Sequence, residues 1–312
     1  MLAERGDGAV AVAGGTDLYP KMKRRQLEPT TLVGLRGIDE IHGIFGSRDA
    51  GLIIGAGETL TRVLEHPDVR RSHPALALAA RSVSTLQLRT MGTIGGNLAV
   101  DTRCNYYDES QAWRKSIGFC LKKDGDICLV APSSPRCWAV SSSDLAPVMI
   151  ALGARLTLRG AETERTIDAQ DLYRDDGIDH LAKEHGEIIS EIRLPPLDGL
   201  VSTYRKLRRR GSFDFPILGV AAAVRIEGGV VAHARIVLGG VASWPVRAKV
   251  AEELLAGNRP TIELVDEVAQ RAGDPAKPLD NTDLVPLWRK RMSRVFVRRA
   301  LLELVGLSPE GT

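Results

Sequence analysis

The sequence predicts an α+β protein of two domains, and three observations support that class. Its 312 residues exceed the roughly 100–200 residues of a typical single domain. Strand and helix patterns are mixed in the first part of the chain, whereas a β-hairpin and three helical segments make up the second part. Pro195 and Pro196 separate the two parts, because proline ends a strand. We therefore expect domains over residues 1–196 and 200–306.

The first part of the chain carries short strands and helices. We expect strands over 8–13, 31–35, 51–55, 154–159 and 188–194. We expect helices over 62–65, 74–85 and 144–152, with Asp144 as the N-cap of the last. Residues 92–97 are predicted to form a glycine-rich loop, and residues 99–143 show no periodicity. A strand so close to Met1 leads us to expect that the natural chain begins further upstream.

The second part is predicted to form an antiparallel sheet followed by helices. Strands are expected over 202–208, 219–226 and 230–238, the last two joined by a short connection at Gly228 and Gly229. Helices are expected over 244–256, 262–272 and 285–304, since apolar residues recur there at helical spacing.

The composition is that of an ordinary globular protein and excludes several classes of function. Hydrophobic residues make up 44% of the chain and charged residues 26%. The formal net charge of +3 is too balanced for a main partner that is nucleic acid or an anionic membrane. No apolar run approaches the roughly 20 residues of a membrane span. The N-terminal residues lack the apolar core of a secretion signal, so we expect a cytoplasmic protein.

Two glycine-rich loops are the candidate ligand-binding segments. Gly14 and Gly15 follow the first strand, and Gly95 and Gly96 lie within residues 90–98. Glycine lets successive main-chain N–H groups approach an anion closely. Two such loops suit a pyrophosphate held from both sides, as in a dinucleotide, although Gly-Gly also forms plain turns. A third pair, Gly55 and Gly57, imitates the Rossmann fingerprint, but its third glycine is absent, so we interpret it as a turn.

The cysteines form the second candidate site. All four lie in the aperiodic segment, at Cys104, Cys120, Cys128 and Cys137, without a Cys-x-x-Cys pair. Structural zinc usually uses closely spaced pairs, whereas an irregular loop can bring four thiolates to one iron–sulfur cubane. Nearby aromatic residues could shield such a cluster from water. We favour a [4Fe–4S] cluster over zinc, with four unrelated buried thiols as the third explanation.

The glycine loops resemble those of the flavoprotein subunit of the molybdenum hydroxylase family, which includes xanthine dehydrogenase and carbon monoxide dehydrogenase. The family's Ala-Gly-Gly-Thr-Asp-Leu and Thr-Ile-Gly-Gly-Asn loops clasp the FAD pyrophosphate, and they stand here at 13–18 and 93–97. The resemblance implies an FAD-binding PCMH-type domain of two subdomains, followed by a small domain of antiparallel sheet plus helices. It implies FAD contacts at Val12, Ala13, Gly14, Gly15, Thr16, Asp17, Leu18, Val83, Gln87, Thr93, Ile94, Gly95, Gly96, Asn97, Asp144, Ile189 and Lys206.

Residues 99–143 depart from most of that family, because they insert a segment that carries all four cysteines. This insertion resembles the beta subunit of 4-hydroxybenzoyl-CoA reductase, whose extra loop binds a [4Fe–4S] cluster. The resemblance implies a subunit without catalytic residues, which relays electrons from ferredoxin through the cluster and FAD. They would pass to a [2Fe–2S] small subunit and a molybdopterin-binding large subunit, in a dimer of heterotrimers. The implied reaction is reductive dehydroxylation to benzoyl-CoA in anaerobic aromatic degradation.

Two other functions remain open at this stage. The first is the FAD subunit of an oxidative molybdenum hydroxylase, which would pass electrons outward from its substrate. The second is a zinc-stabilised binding protein without redox function. The basic run at 205–210 and the basic final helix suit a solvated face or an acidic partner subunit better than nucleic acid. The histidines show no ligand spacing.

Overall fold

The computed structural model describes residues 1–308. The first part of the chain contains the strands β1 Ala9–Val12, β2 Thr31–Gly34, β3 Ile44–Ser47, β4 Gly51–Gly55, β5 Arg155–Arg159, β6 Glu164–Asp168 and β7 Ile188–Leu194. Its helices are α1 Leu2–Arg5, α2 Leu18–Lys23, α3 Leu60–Glu65, α4 Pro67–Ser72, α5 Pro74–Ser82, α6 Leu86–Arg89, α7 Ile94–Leu98, α8 Gln111–Ser116 and α9 Leu145–Ala151. The second part contains β8 Val201–Leu207, β9 Leu218–Glu227, β10 Val230–Gly239, β11 Val246–Arg247, α10 Lys249–Leu255, α11 Ile262–Ala272 and α12 Pro286–Val305.

Three sheets organise these elements. Strands β1 and β2 pair in parallel near the N-terminus. An antiparallel five-stranded sheet has the order β3-β4-β7-β5-β6, and an antiparallel four-stranded sheet has the order β11-β10-β9-β8. Antiparallel sheets combined with separate groups of helices confirm the predicted α+β class. Because β4 is antiparallel to both neighbours, the turn at Gly55 and Gly57 is not a Rossmann βα turn, as predicted.

Strand β9 belongs to the four-stranded sheet, which is called the second sheet below. Its residues 218–224 are buried, with side chains on both faces of the sheet covered, and this explains its sequence. Leu218, Val220, Ala222 and Val224 pack into a core with α10, α11 and α12. The alternate residues Ala221 and Ala223 face the core of the first part of the chain. A strand alternates its side chains between two faces, so uninterrupted apolar residues are expected where both faces are covered.

Helix α9 joins the two parts of the molecule. All seven of its residues are buried, and all but Pro147 belong to the core that also holds Tyr204 and Val237 of the four-stranded sheet. The regions predicted as separate domains therefore share an apolar contact. This contact brings β8 beside α5, so residues far apart in sequence meet between the two regions.

Several local predictions need correction. The helix expected over 244–256 begins only at Lys249, because Val246 and Arg247 pair with β10 as β11. The glycine-rich loop contains helix α7, where the Thr93 hydroxyl accepts a hydrogen bond from Gly96 N at 3.0 Å. Helix α8 lies in the segment expected to be irregular. Only Ala9 of β1 is buried, since this strand belongs to a small peripheral sheet.

No helix among residues 1–308 combines the length and the apolar character needed to cross a membrane.

Candidate functional site

The two glycine-rich loops lie against each other. A methyl group at Gly14 would stand 1.9 Å from the Met91 carbonyl oxygen and 2.9 Å from Gly92 N, so the two main chains are in direct contact. Gly15 adopts a φ of 68°, a conformation that side chains other than glycine's rarely adopt. The structure thus brings together the two segments that the sequence singled out, although they are far apart in the chain.

The two loops differ in the main-chain groups that they leave available. Within residues 1–308, the N–H groups of Gly14, Gly15 and Thr16 donate no hydrogen bond to another main-chain group. In the second loop, Ile94 N donates to Glu58 O and Gly95 N to Ala56 O, both at 2.9 Å. The first loop is therefore the one whose N–H groups fit an anion, while the second supports it by close packing.

Two of the predicted contact residues have their side chains engaged within the protein. Asn97 Oδ1 accepts hydrogen bonds from Ser143 Oγ at 2.8 Å and from Leu145 N at 3.2 Å, which ties α7 to the start of α9. Asp17 forms an ion pair with Arg103 in the cysteine segment. Both side chains position the loops in this structure.

Asp144 occupies the N-cap position of α9, but its side chain lies in a buried polar cluster. Its Oδ2 is 2.9 Å from Lys206 Nζ, and the Tyr204 hydroxyl donates to Oδ1 at 2.7 Å. Its side chain makes no capping hydrogen bond, and the Ser143 hydroxyl accepts from Ala146 N at 2.9 Å instead. Asp144 thus stands at the predicted N-cap position, but its side chain does not cap the helix. Burial lowers the pKa of Lys206 against the opposing effect of Asp144, and burial with the nearby Asp144 carboxylate holds the pKa of Tyr204 well above its usual value.

This cluster lies beside the largest cavity described here. The cavity has a volume of about 710 Å³, within the range of small-molecule sites, and Gln87, Tyr204 and Lys206 line it. Val83 is next to its wall, and its carbonyl oxygen accepts a hydrogen bond from Arg89 Nη1 at 2.8 Å. Ile189 is different, because it packs in the main core on β7 and does not line this cavity.

Three arginines of this cavity were not among the predicted contact residues. Arg81, Arg89 and Arg208 line it, and none forms an ion pair with a carboxylate in residues 1–308. Burial lowers the pKa of Arg89, and the charges of Arg208 and Arg81 lower it further. The sequence signal that could have identified them is the position of Arg81 and Arg89 just before the second glycine loop and of Arg208 in the basic run at 205–210. The cavity fits an anionic ligand or partner.

The four cysteines are brought together by the fold. All are free and buried, and they line one small cavity together with Tyr106, Tyr107 and Lys122. Paired hydrogen bonds between the main chains of Arg103 and Val140, at 2.7 and 2.8 Å, close the base of the segment beside Cys104 and Cys137. The structure therefore groups the thiols as the clustering in sequence predicted.

These thiols do not form a ready-made coordination sphere. In the described part of the chain, no three His, Cys, Asp or Glu side chains converge closely enough to hold a metal ion. The cavity volume is about 10 Å³, close to that of one water-sized sphere, so the thiols would move apart around a cubane. Burial raises the pKa of Cys104 to about 12 and that of Cys137 to about 11, so burial favours the protonated form of these two thiols. The metal ligands, Cys104, Cys120, Cys128 and Cys137, stay a prediction.

A buried ionic cluster connects the cysteine segment to the first glycine loop. Asp101 Oδ2 is 2.6 Å from Lys21 Nζ on α2, and Asp101 Oδ1 is 2.7 Å from Lys122 Nζ. The ammonium groups of Lys122 and Lys21 hold the pKa of Asp101 well below its usual value, although burial opposes them. The sequence does not reveal this cluster, because Lys21 and Asp101 are 80 positions apart.

Comparison with known proteins covers nearly the whole chain. Residues 1–197 match the FAD binding domain in molybdopterin dehydrogenase, and residues 202–304 match the CO dehydrogenase flavoprotein C-terminal domain. The aldehyde oxidoreductase FAD-binding subunit PaoB of Escherichia coli (strain K12) is 35% identical over 265 residues, which cover 82% of each chain. The carbon monoxide dehydrogenase medium chain of Afipia carboxidovorans is 29% identical over 311 residues, 96% of this chain and 90% of that one.

Solved structures agree with these sequence matches. Carbon monoxide dehydrogenase from Hydrogenophaga pseudoflava superposes with a TM-score of 0.79 at 28% identity, over 98% of this chain and 92% of that chain. The fold, the two matched regions and the paired glycine loops lead to one assignment. The chain belongs to the molybdenum hydroxylase family, as an FAD-binding medium subunit of the carbon monoxide dehydrogenase and xanthine dehydrogenase type.

Proposed function

We propose that this chain is the FAD subunit of an oxidative molybdenum hydroxylase that acts on aldehydes. The observation that carries the proposal is the 35% identity to the aldehyde oxidoreductase subunit PaoB, which spans 82% of both chains. The substrate is oxidised on another subunit, and this chain passes the electrons outward. FAD, when bound, supplies the redox chemistry, while the protein binds and orients it. This direction is the reverse of the reductive function that the cysteine insertion alone suggests.

The predicted contact residues divide into two roles around FAD. The free N–H groups of Gly14, Gly15 and Thr16, within residues 12–18, would bind the pyrophosphate, and Met91 and Gly92, just before residues 93–97, pack against that loop. Lys206 lies at the cavity with Gln87, is held in place by the buried Asp144, and would contact FAD there. We keep the domain boundaries at 1–196 and 200–306, since a short connection between β7 and β8 separates them.

We further propose that the four cysteines bind a [4Fe–4S] cluster. Four buried thiols that line one cavity supply the number and type of ligands that such a cluster needs. The neighbouring Tyr106, Tyr107, Leu121, Leu129 and Val130 would keep water away from it. Zinc remains the competing occupant, and metal analysis separates the two.

Partners follow from the family. A molybdopterin-binding large subunit and a [2Fe–2S] small subunit would complete the enzyme as a dimer of heterotrimers. A ferredoxin-type electron carrier would exchange electrons with this enzyme.

A second candidate function is 4-hydroxybenzoyl-CoA reductase, and the cysteine insertion favours it. In that enzyme, electrons would enter from ferredoxin through the cluster and reach the substrate on the large subunit. The two candidates use the same cofactors and differ in the direction of electron flow and in the substrate.

One assay distinguishes these functions. The chain is co-expressed with its partner subunits, purified without oxygen, and tested for aldehyde oxidation with ferredoxin, NAD or a quinone as acceptor. It is tested in parallel for reduction of 4-hydroxybenzoyl-CoA by reduced ferredoxin. Aldehyde oxidation supports the main proposal. Benzoyl-CoA formation without aldehyde oxidation would replace it with the second candidate.

A further inference from the structure

Lys122 is a buried cation in the wall of the cysteine cavity. It lies between Cys120 and Cys128 in sequence, its side chain is 6% exposed, and it lines the same cavity as all four thiols. Its Nζ atom is 5.0 Å from the centre of the Tyr107 ring, which lines that cavity too. No other lysine or arginine of residues 1–308 lines this cavity.

The ammonium group of Lys122 is held in one place. It donates to Asp101 Oδ1 at 2.7 Å and to Thr102 Oγ1 at 2.8 Å, and a third hydrogen bond reaches the carbonyl oxygen of Gly177. All three donor positions of an ammonium are therefore satisfied. A charge fixed in this way acts on its surroundings at a constant position.

The charge of Lys122 is not cancelled by its partner. Asp101 is shared with Lys21, whose side chain is 1% exposed, so two ammonium groups face one carboxylate. His180 approaches Asp101 to 4.0 Å, and burial lowers its pKa, so it adds no charge at neutral pH. One positive charge remains in this cluster, next to the cavity.

Two other charged residues, Arg103 and Asp108, lie beside Cys104 but outside the cavity wall. Arg103 pairs with Asp17 and, at 3.0 Å, with Asp108. The Asp108 carboxylate also accepts a hydrogen bond from Cys104 N at 3.0 Å. Neither Arg103 nor Asp108 lines the cavity, whereas Lys122 does.

We propose that Lys122, a positioning residue, raises the reduction potential of the centre bound by the four cysteines. Reduction adds one negative charge to a centre already surrounded by thiolates. A fixed positive charge in the adjacent low-dielectric region stabilises the reduced form more than the oxidised form. The bridge through Asp101 to Lys21 also joins this wall to α2, which directly follows the first glycine loop. The inference rests on the proposed cluster.

The test uses the purified complex with Lys122→Met, which removes the charge and keeps an unbranched side chain one atom shorter. The midpoint potential of the iron–sulfur centre is measured by EPR-monitored redox titration, with iron and sulfide quantified on the same samples. We expect the midpoint potential to become more negative while the iron content stays unchanged. A tenfold change in the one-electron equilibrium constant corresponds to a shift of about 59 mV. The matched control is Lys123→Gln, because Lys123 is half-buried, pairs with Asp124 at 3.1 Å and does not line the cavity.

A second variant fixes the sign. Asp101→Asn leaves two ammonium groups without their carboxylate, so the potential should move in the positive direction. If the ionic cluster of Lys122, Asp101 and Lys21 had a purely structural role, the two variants would not shift the midpoint potential in opposite directions. Equal potentials in Lys122→Met and the unaltered complex, with iron retained, would overturn the proposal. If the Lys122→Met complex contains no iron, the Asp101→Asn complex alone tests the proposal. A midpoint potential of the Asp101→Asn complex that is unchanged or more negative would then reject the proposal. Absence of iron from the unaltered complex refutes the proposed cluster itself, which is a separate result.

Discussion

The two candidate cofactor regions are built in opposite ways. The glycine loops come from distant parts of the chain and meet through their main chains, where Gly14 touches Met91 and Gly92. The cysteine region comes from one continuous segment and offers side chains that line a single cavity. The contact between the glycine loops requires that Gly14 has no Cβ atom, whereas the cysteine region requires the sulfur atoms of its side chains. Substitutions should therefore affect flavin and iron separately.

The largest expected effect is at the cysteines. Cys104→Ser should abolish iron binding almost completely, because each thiolate supplies one corner of the proposed cluster. Flavin content should stay close to that of the unaltered protein, since Cys104 lies outside the glycine loops. Iron and flavin are measured together on the purified protein. Retention of full iron would contradict the ligand assignment, and loss of both cofactors would contradict the independence of the two regions.

The buried ion pair on the flavin side should come next. Asp144→Asn leaves Lys206 without its carboxylate in a site where both side chains are at most 4% exposed. Loss of one partner of a buried pair costs about 3–5 kcal/mol in the free energy of unfolding. Denaturant unfolding checks this value, with Glu164→Gln as the matched control. Glu164 pairs with Arg159 at the surface, where a pair contributes about 0–1 kcal/mol. Equal losses in both variants would contradict the prediction.

A smaller effect is expected where the loops touch. Gly14→Ala places a methyl group 1.9 Å from the Met91 carbonyl oxygen, so one main chain must move. Overpacking of this kind costs about 1–3 kcal/mol. We expect reduced flavin binding with iron unchanged, measured by flavin absorbance and metal analysis. Gly34→Ala is the control, since nothing lies within 4 Å of its methyl position. A Gly14→Ala protein with full flavin would show that the loop contact is dispensable.

The smallest effect concerns pH. The pKa of Asp101 is lowered in the folded state, so its ionic contribution is fully present above the ordinary pKa of about 3.9 and is lost as pH falls through the folded value. The difference in unfolding free energy between the unaltered protein and Asp101→Asn should be constant from pH 7 to about pH 5 and should shrink below about pH 4. Denaturant titrations at several pH values measure it. A difference that grows in acid would contradict the pairing with Lys21 and Lys122.

Much of the fold was predictable from local sequence patterns. Strands β7, β9 and β10 and helices α11 and α12 lie within two residues of their expected bounds, because apolar periodicity and the glycines at 228 and 229 mark them clearly. Strand β11 was missed, since its pairing with β10 depends on a tertiary contact. The edge strands β3 and β6 were missed as well, as their residues are mostly exposed and lack an apolar pattern.

The candidate sites also divide into features that local sequence patterns reveal and features that depend on tertiary contacts. Motifs that occupy one stretch of chain, such as the glycine loops and the cysteines, are visible in sequence. The partners of Asp144 are not, because Tyr204 and Lys206 reach it only after α9 packs on the second sheet. The shared carboxylate of Asp101 was invisible for the same reason, since Lys21 is brought to it by the fold.

The most direct test of the central claim is an anaerobic visible spectrum of the purified protein, with flavin, iron, sulfide and zinc quantified on the same sample. We predict flavin bands together with about four irons and four sulfides per chain. Zinc without flavin or iron would contradict the account.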